Sequence, residues 1–274
     1  MLYRNAYVML CLFAFLPACT GQPDAELPDH LAEFDHVTMI PADATPAKTV
    51  RLQEMWEIGP DGDMLIDHIY ALATDEQRNI YISGGDKIHL FDPEGNYRKS
   101  IGQHGTGPGD LMSVFDLQVA DNTLYALDFG QIRIQRFSTT SLEPDGMILL
   151  DIHTLPHQEN VIPPFPLTFR VDDDQSFLIG FQHSNPAAPS LHFYRFDRDG
   201  NLVSDRLLSL LLIETLPQPG TDRFIPSPVG NRGLFQIGPD NRIYTASTKD
   251  FFIKIHAPDG SYQSALYHPI EKRE

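Results

Sequence analysis

The chain lacks most of what familiar chemistry needs. It has two cysteines, Cys11 and Cys19, so neither a disulfide framework nor a paired-cysteine metal site can be built from it. No His-Glu-x-x-His and no Gly-x-Ser-x-Gly occurs, which removes the common signatures of zinc and serine hydrolases. Positive charge is scarce: 20 Lys and Arg stand against 37 Asp and Glu, a formal net charge of −17. Like-charge repulsion makes nucleic acid a poor partner, and an anionic membrane surface equally so. Long apolar runs are missing too. Tyr7–Leu16 is almost continuously apolar, but a mature spanning helix needs ~20 such residues.

That short run has another use. Arg4 precedes it and small residues follow, the order of an export signal. Leu16-Pro17-Ala18-Cys19 resembles a bacterial lipobox, with Pro17 departing from the usual small residue. The resemblance implies a signal peptide over 1–18, acylation of Cys19 and a lipid anchor to the membrane. An ordinary signal peptide cut after Ala18 is the alternative. Cys11 would leave with the signal, so Cys19 would have no disulfide partner, and lipidation gives it a purpose. Loss of Arg4 leaves 19 basic residues against 37 acidic ones, a formal charge of −18. Thr20 points, by a sorting rule of those precursors, to the outer membrane or cell surface. Residues 19–49, rich in Pro, Asp and Ala, read as a semi-stiff tether.

Beyond the tether the chain is rich in punctuation, with 22 prolines and 19 glycines. Two landmarks recur. Polar turns begin at Asp75, Asp121, Asp172 and Pro239, each followed by an apolar pair such as Ile80-Tyr81, Leu124-Tyr125 or Ile243-Tyr244. Glycine turns close at Gly95, Gly146, Gly200 and Gly260, where a positive φ is wanted. Alternating runs such as Lys87–Phe91 and Gln131–Phe137 lie between the landmarks, the period of a strand with one buried face. Each unit therefore holds about four antiparallel strands. Four-stranded units in series predict an all-β chain folded as a β-propeller.

Asn79–Asp110 carries the fullest copy, ending in Ile101-Gly102 and Gly105-Thr106-Gly107-Pro108-Gly109. It resembles NHL-type repeats, and more closely the six-bladed β-propeller lipoproteins of bacterial envelopes. Blades are expected over 63–110, 111–155, 163–212 and 229–270, with a stray outer strand in 50–62. Four units fall short of six. An open arc is the favoured expectation, beside a closed four-bladed ring or completion by a second chain.

Candidate sites are few. Gly102–Gly109 has no lysine and leads into a strand, so it is no phosphate loop. Asp67, Asp116, Arg170, Asn231 and Arg232 stand near the starts of innermost strands and could face a central channel. Their mixed signs fit a polar ligand better than a metal cage, and no cofactor is called for. The Pro-rich loops 184–190 and 216–229 are the expected contact surface for a protein or carbohydrate partner. The leading expectation is a membrane-tethered, non-enzymatic binding or scaffold lipoprotein. The alternative, implied by likeness to lactonase-type propellers, is a lactone hydrolase or lyase-like enzyme with a metal or polar site in the channel.

Overall fold

Each aspartate or glycine turn reverses the chain by local hydrogen bonding. Asp92 accepts from the backbone N–H groups of Glu94 and Asn96, and Asp197 does the same for Asp199 and Asn201. The glycines that close three of these turns, Gly95, Gly200 and Gly260, have φ between +84° and +89°. Gly146, expected to close the fourth, lies instead inside a strand, because the chain already turns at Ser138–Glu143, where the Leu142 N–H donates to the Ser138 carbonyl. The computed structural model describes residues 27–54, 57, 66, 68–155, 164–183, 185, 187–238 and 240–270.

Between the turns lie antiparallel strands. After β1 (Val37–Met39), blade 1 comprises β2 (Ala71–Thr74), β3 (Ile80–Ser83), β4 (Ile88–Phe91) and β5 (Tyr97–Ile101). Blade 2 follows with β6 (Val114–Ala120), β7 (Thr123–Asp128), β8 (Arg133–Ser138) and β9 (Pro144–Leu149). Blade 3 holds β10 (Phe165–Val171), β11 (Phe177–His183), β12 (Ser190–Phe196) and β13 (Leu208–Leu211). A separate hairpin, β14 (Thr215–Pro217) and β15 (Phe224–Pro226), precedes blade 4. Blade 4 is β16 (Gly233–Ile237), β17 (Ile243–Ser247), β18 (Asp250–His256) and β19 (Tyr262–His268). The fold is all-β and propeller-like. Among the described residues the four blades form an open arc, not a closed four-bladed ring.

Burial explains why the blades stack. Successive side chains of a strand point to opposite faces. On β7, Leu124 and Ala126 join the core shared with blade 1, while Tyr125 and Leu127 join the core shared with blade 3. On β11, Phe177, Ile179 and Phe181 face blade 2, and Leu178 faces blade 4 beside Phe193 and Ile243. These middle strands are therefore buried on both faces, not on the one face that alternation predicts. At about 1.5–3 kcal/mol for each fully buried large apolar side chain, blade-to-blade packing is the main cohesive term. Blade 4 leaves Leu234 and Phe251 about half exposed on the face turned away from blade 3.

Two further places differ from the sequence reading. An outer strand is expected directly after the Gly200 turn, from Leu202, but that of blade 3 begins at Leu208. Here the Arg195 N–H donates to the Ser204 hydroxyl, so the chain bulges before regular pairing resumes. The second place is the N-terminal segment. Within the expected tether, β1 pairs in parallel with β19, Val37 opposite Ala265. Leu31 is buried against Phe252 and Tyr267, and the Phe34 ring lies 5.1 Å from that of Phe252 under the Lys254 ammonium. Apolar residues at 27, 31, 34, 37 and 39 make this polar-looking stretch adhesive. The expected stray strand lies mostly outside the described residues. Its first part, Val50–Glu54, is exposed and pairs with no strand.

Candidate functional site

Polar side chains of the two inner strands stitch each blade to the next. The Ser83 hydroxyl of blade 1 donates to the Val114 carbonyl of blade 2 at 2.6 Å. Asp116 of blade 2 accepts from the Thr168 hydroxyl at 2.7 Å and the Phe169 N–H at 3.0 Å, both of blade 3, and from its own neighbour Leu117. The Gln118 amide takes the Val171 N–H at 2.8 Å and donates back to the Val171 carbonyl. It acts as one rung of a ladder that the diverging strands no longer make. Burial pushes the Asp116 carboxyl above the usual carboxylate range, against the pull of these hydrogen bonds.

The five expected channel residues do not converge. Asp116 sits in the blade 2–blade 3 seam. Arg170 is half-buried on β10, its Nε without a hydrogen-bond partner among the described residues. Asn231 lies at the root of the hairpin, where its N–H and side-chain amide both donate to the Glu214 carboxylate. Arg232 pairs through its backbone with Ile213 and Thr248, and its side chain is exposed. Asp67 and Cys19 lie outside the described residues.

The first expected partner loop, 184–190, meets the chain just ahead of the second, 216–229. The Thr215 hydroxyl donates to the Ala187 carbonyl at 2.9 Å, and the Leu212 N–H to the Pro189 carbonyl. Ser184 and Pro186 lie outside the described residues. The hairpin of β14 and β15 stands out from this junction, with Leu216, Phe224 and Ile225 about two-fifths to one-half exposed.

A feature that no motif announced runs along the inner end of blades 1 to 3. The rings of Tyr70, Phe115, Phe129 and Phe165 form a row with centroids 5.0 Å apart at each step, and His68 stacks on Tyr70. None of the four is buried. Tyr70, Phe115 and Phe165 each stand at the entry of an innermost strand. An aromatic residue at that place in three of four units is the signal that would have found them.

At the same end of blade 3, where Phe165 pairs with Gln182 and the chain enters loop 184–190, the rings of His183 and His192 stack at 3.8 Å. The His192 Nε2 meets the Ser190 hydroxyl, while His192 Nδ1 and His183 Nε2 have no hydrogen-bond partner among the described residues. Burial, then the neighbouring His183 and Arg206, hold the His192 imidazole down to about 4 from 6.5. A histidine neutral in the fold but protonated in the unfolded chain stabilises the fold above its unfolded value. That contribution is lost as pH falls from about 6.5 towards about 4. Urea midpoints should therefore drop between pH 7 and pH 5, and drop less in His192→Gln. Equal drops would remove the pair from this account.

Comparison with known proteins agrees on architecture. A family model described as a 6-bladed beta-propeller matches residues 60–194. No curated protein matches. A Bacteroides fragilis protein described as exported is 12% identical over 85% of this chain and 60% of its own, with a TM-score of 0.49. This chain thus spans about three-fifths of that protein's length. A streptogramin B lyase is 14% identical over 73% of this chain and 55% of its own, with a TM-score of 0.40. A virginiamycin B lyase from Staphylococcus aureus is 10% identical over 75% of this chain and 72% of its own, with a TM-score of 0.41. Such likenesses concern the fold alone.

Proposed function

We propose that the chain is a lipid-anchored, non-enzymatic binding protein of the bacterial envelope, presenting the inner end of its blades to a carbohydrate or protein partner. One observation carries this reading. Asp116, the inner-strand carboxylate that could do acid–base work, is engaged together with Ser83 and Gln118 in joining blades, while the adjoining surface offers aromatic rings. Partly exposed aromatic rings on a rigid frame suit the apolar faces of sugars and side chains. Loops 184–190 and 216–229 add a second contact surface of the same kind.

The anchor rests on Leu16–Cys19. Leu27, packed on blade 4, follows Cys19 by eight residues, since 27 − 19 = 8. An extended chain covers about 3.5 Å per residue, so an acylated Cys19 holds blade 4 within roughly 30 Å of the bilayer. The test is intact mass of the full chain from bacterial membranes, followed by an oligosaccharide array. We expect an acyl-modified Cys19, release from the membrane in Cys19→Ser, and array binding that Phe129→Ala weakens. An unmodified Cys19 would overturn the anchor. Binding unaffected by Phe129→Ala would overturn the surface.

A further inference from the structure

Arginines at one blade position have two different fates. Arg136-Phe137 in β8 and Arg195-Phe196 in β12 occupy matching places in blades 2 and 3. Arg195 is satisfied: it pairs with the Asp172 carboxylate and donates to the Pro258 carbonyl of blade 4 at 3.0 Å. It closes a cleft already crowded by Asp173, Asp174 and Asp259.

Arg136 has no such relief. The arginine ion pairs of the described residues are Arg98–Asp92, Arg133–Asp128, Arg195–Asp172 and Arg242–Asp240. Arg136 belongs to none of them, and its Nε is buried without a hydrogen-bond partner among the described residues. Asp121, the counterpart of Asp172, stands in a two-residue turn with positive φ and is exposed to solvent. Gly146, with φ +93°, leaves the room that the guanidinium fills, since a Cβ there would come within 2.7 Å of it.

Arg136 borders a cleft of about 520 Å³ between the outer part of blade 2 and the turns of blade 3. Arg198 enters from blade 3, likewise outside every ion pair given above, with Gln175 beside it and Asp199 the one acid in the lining. In a chain of net charge −17, two unpaired guanidiniums facing one cleft are a local inversion of the field. Guanidinium matches carboxylate and phosphate oxygens in geometry as well as charge.

We propose that this cleft binds a small organic anion, its carboxylate or phosphate held by Arg136 and Arg198. The site is independent of the aromatic row and of the anchor.

Calorimetric titration of the full chain in detergent, with benzoate, phenyl phosphate and neutral benzyl alcohol as probes, decides it. We expect saturable binding of at least one anion and none of the alcohol, with the tighter anion showing which head group the site takes. Loss of one charge-assisted contact should weaken binding about tenfold or more in Arg136→Gln. Arg198→Gln, an exposed position with no structural duty, should weaken it as well and serves where Arg136→Gln folds poorly. Arg195→Gln should leave binding intact. No saturable anion binding, or binding that survives Arg198→Gln unchanged, overturns the proposal.

Discussion

Replacing Asp128 by alanine is expected to cost about 3–5 kcal/mol of stability, the usual result of stripping one partner from a buried ion pair. Asp128 is 0% exposed and Arg133 is 2% exposed. The Asp128 carboxylate takes the Ser113 N–H at 3.0 Å, the Met112 N–H at 3.3 Å and the Gln131 side-chain amide at 3.0 Å. Arg133 Nε lies 3.4 Å from it, an ion pair without hydrogen-bond geometry. The guanidinium also donates to the Asp110 carbonyl and to the Met147 sulfur. Alanine would leave a buried cation without its counter-charge and would orphan the donors of the link into β6. A loss of that size lowers Tm by roughly ten degrees. Urea unfolding of Asp128→Ala beside Asp240→Ala checks the argument. The Arg242–Asp240 pair is more than two-fifths exposed on both sides, and its loss should leave the midpoint unmoved. Similar losses in both variants would show that burial is not what gives the Asp128 pair its weight.

That network illustrates which parts of the molecule the sequence can announce. Turn chemistry is local. Asp92, Asp197 and Asp259 bind N–H groups two residues on, and those contacts can be read from three or four letters. Strand rhythm is local too, and the alternating run Lys87–Phe91 yields the strand Ile88–Phe91. Contacts between blades are not local. Phe115 meets Tyr70 and Phe129 meets Phe165 because three blades converge, at sequence separations with no period to betray them. Arg136 and Arg195 look alike in the chain and differ only in what the next blade presents. Val37–Met39 is too short to alternate, and its parallel pairing with β19 is set by the apolar anchors around it. Asp116 was legible as an inner-strand carboxylate. Its commitment to Thr168 and Phe169 depended on a bulge at Val114/Asp116 that brings it to the seam.

Glycine gives the sharpest form of the distinction, because one letter serves two purposes. Gly220 and Gly200 both have positive φ, +77° and +89°. A Cβ on Gly220 meets nothing within 4 Å, so Gly220→Ala bears only the conformational penalty, about 1 kcal/mol. A Cβ on Gly200 would lie 2.1 Å from the Leu149 carbonyl oxygen and 2.9 Å from the Ile148 side chain. The obstacle is backbone, and it cannot step aside: the Asp151 N–H donates to the Gly200 carbonyl at 3.0 Å, fixing this turn against β9. Relief requires blade 3 to move off blade 2, parting the core of Ile148, Phe177 and Phe196. Gly200→Ala should therefore cost about 3 kcal/mol or more, strain and lost packing together. Amide exchange should quicken in β9 and β12 while β2–β5 keep their protection. If Gly200→Ala were as mild as Gly220→Ala, the close approach of the two blades would not be what requires glycine at this turn.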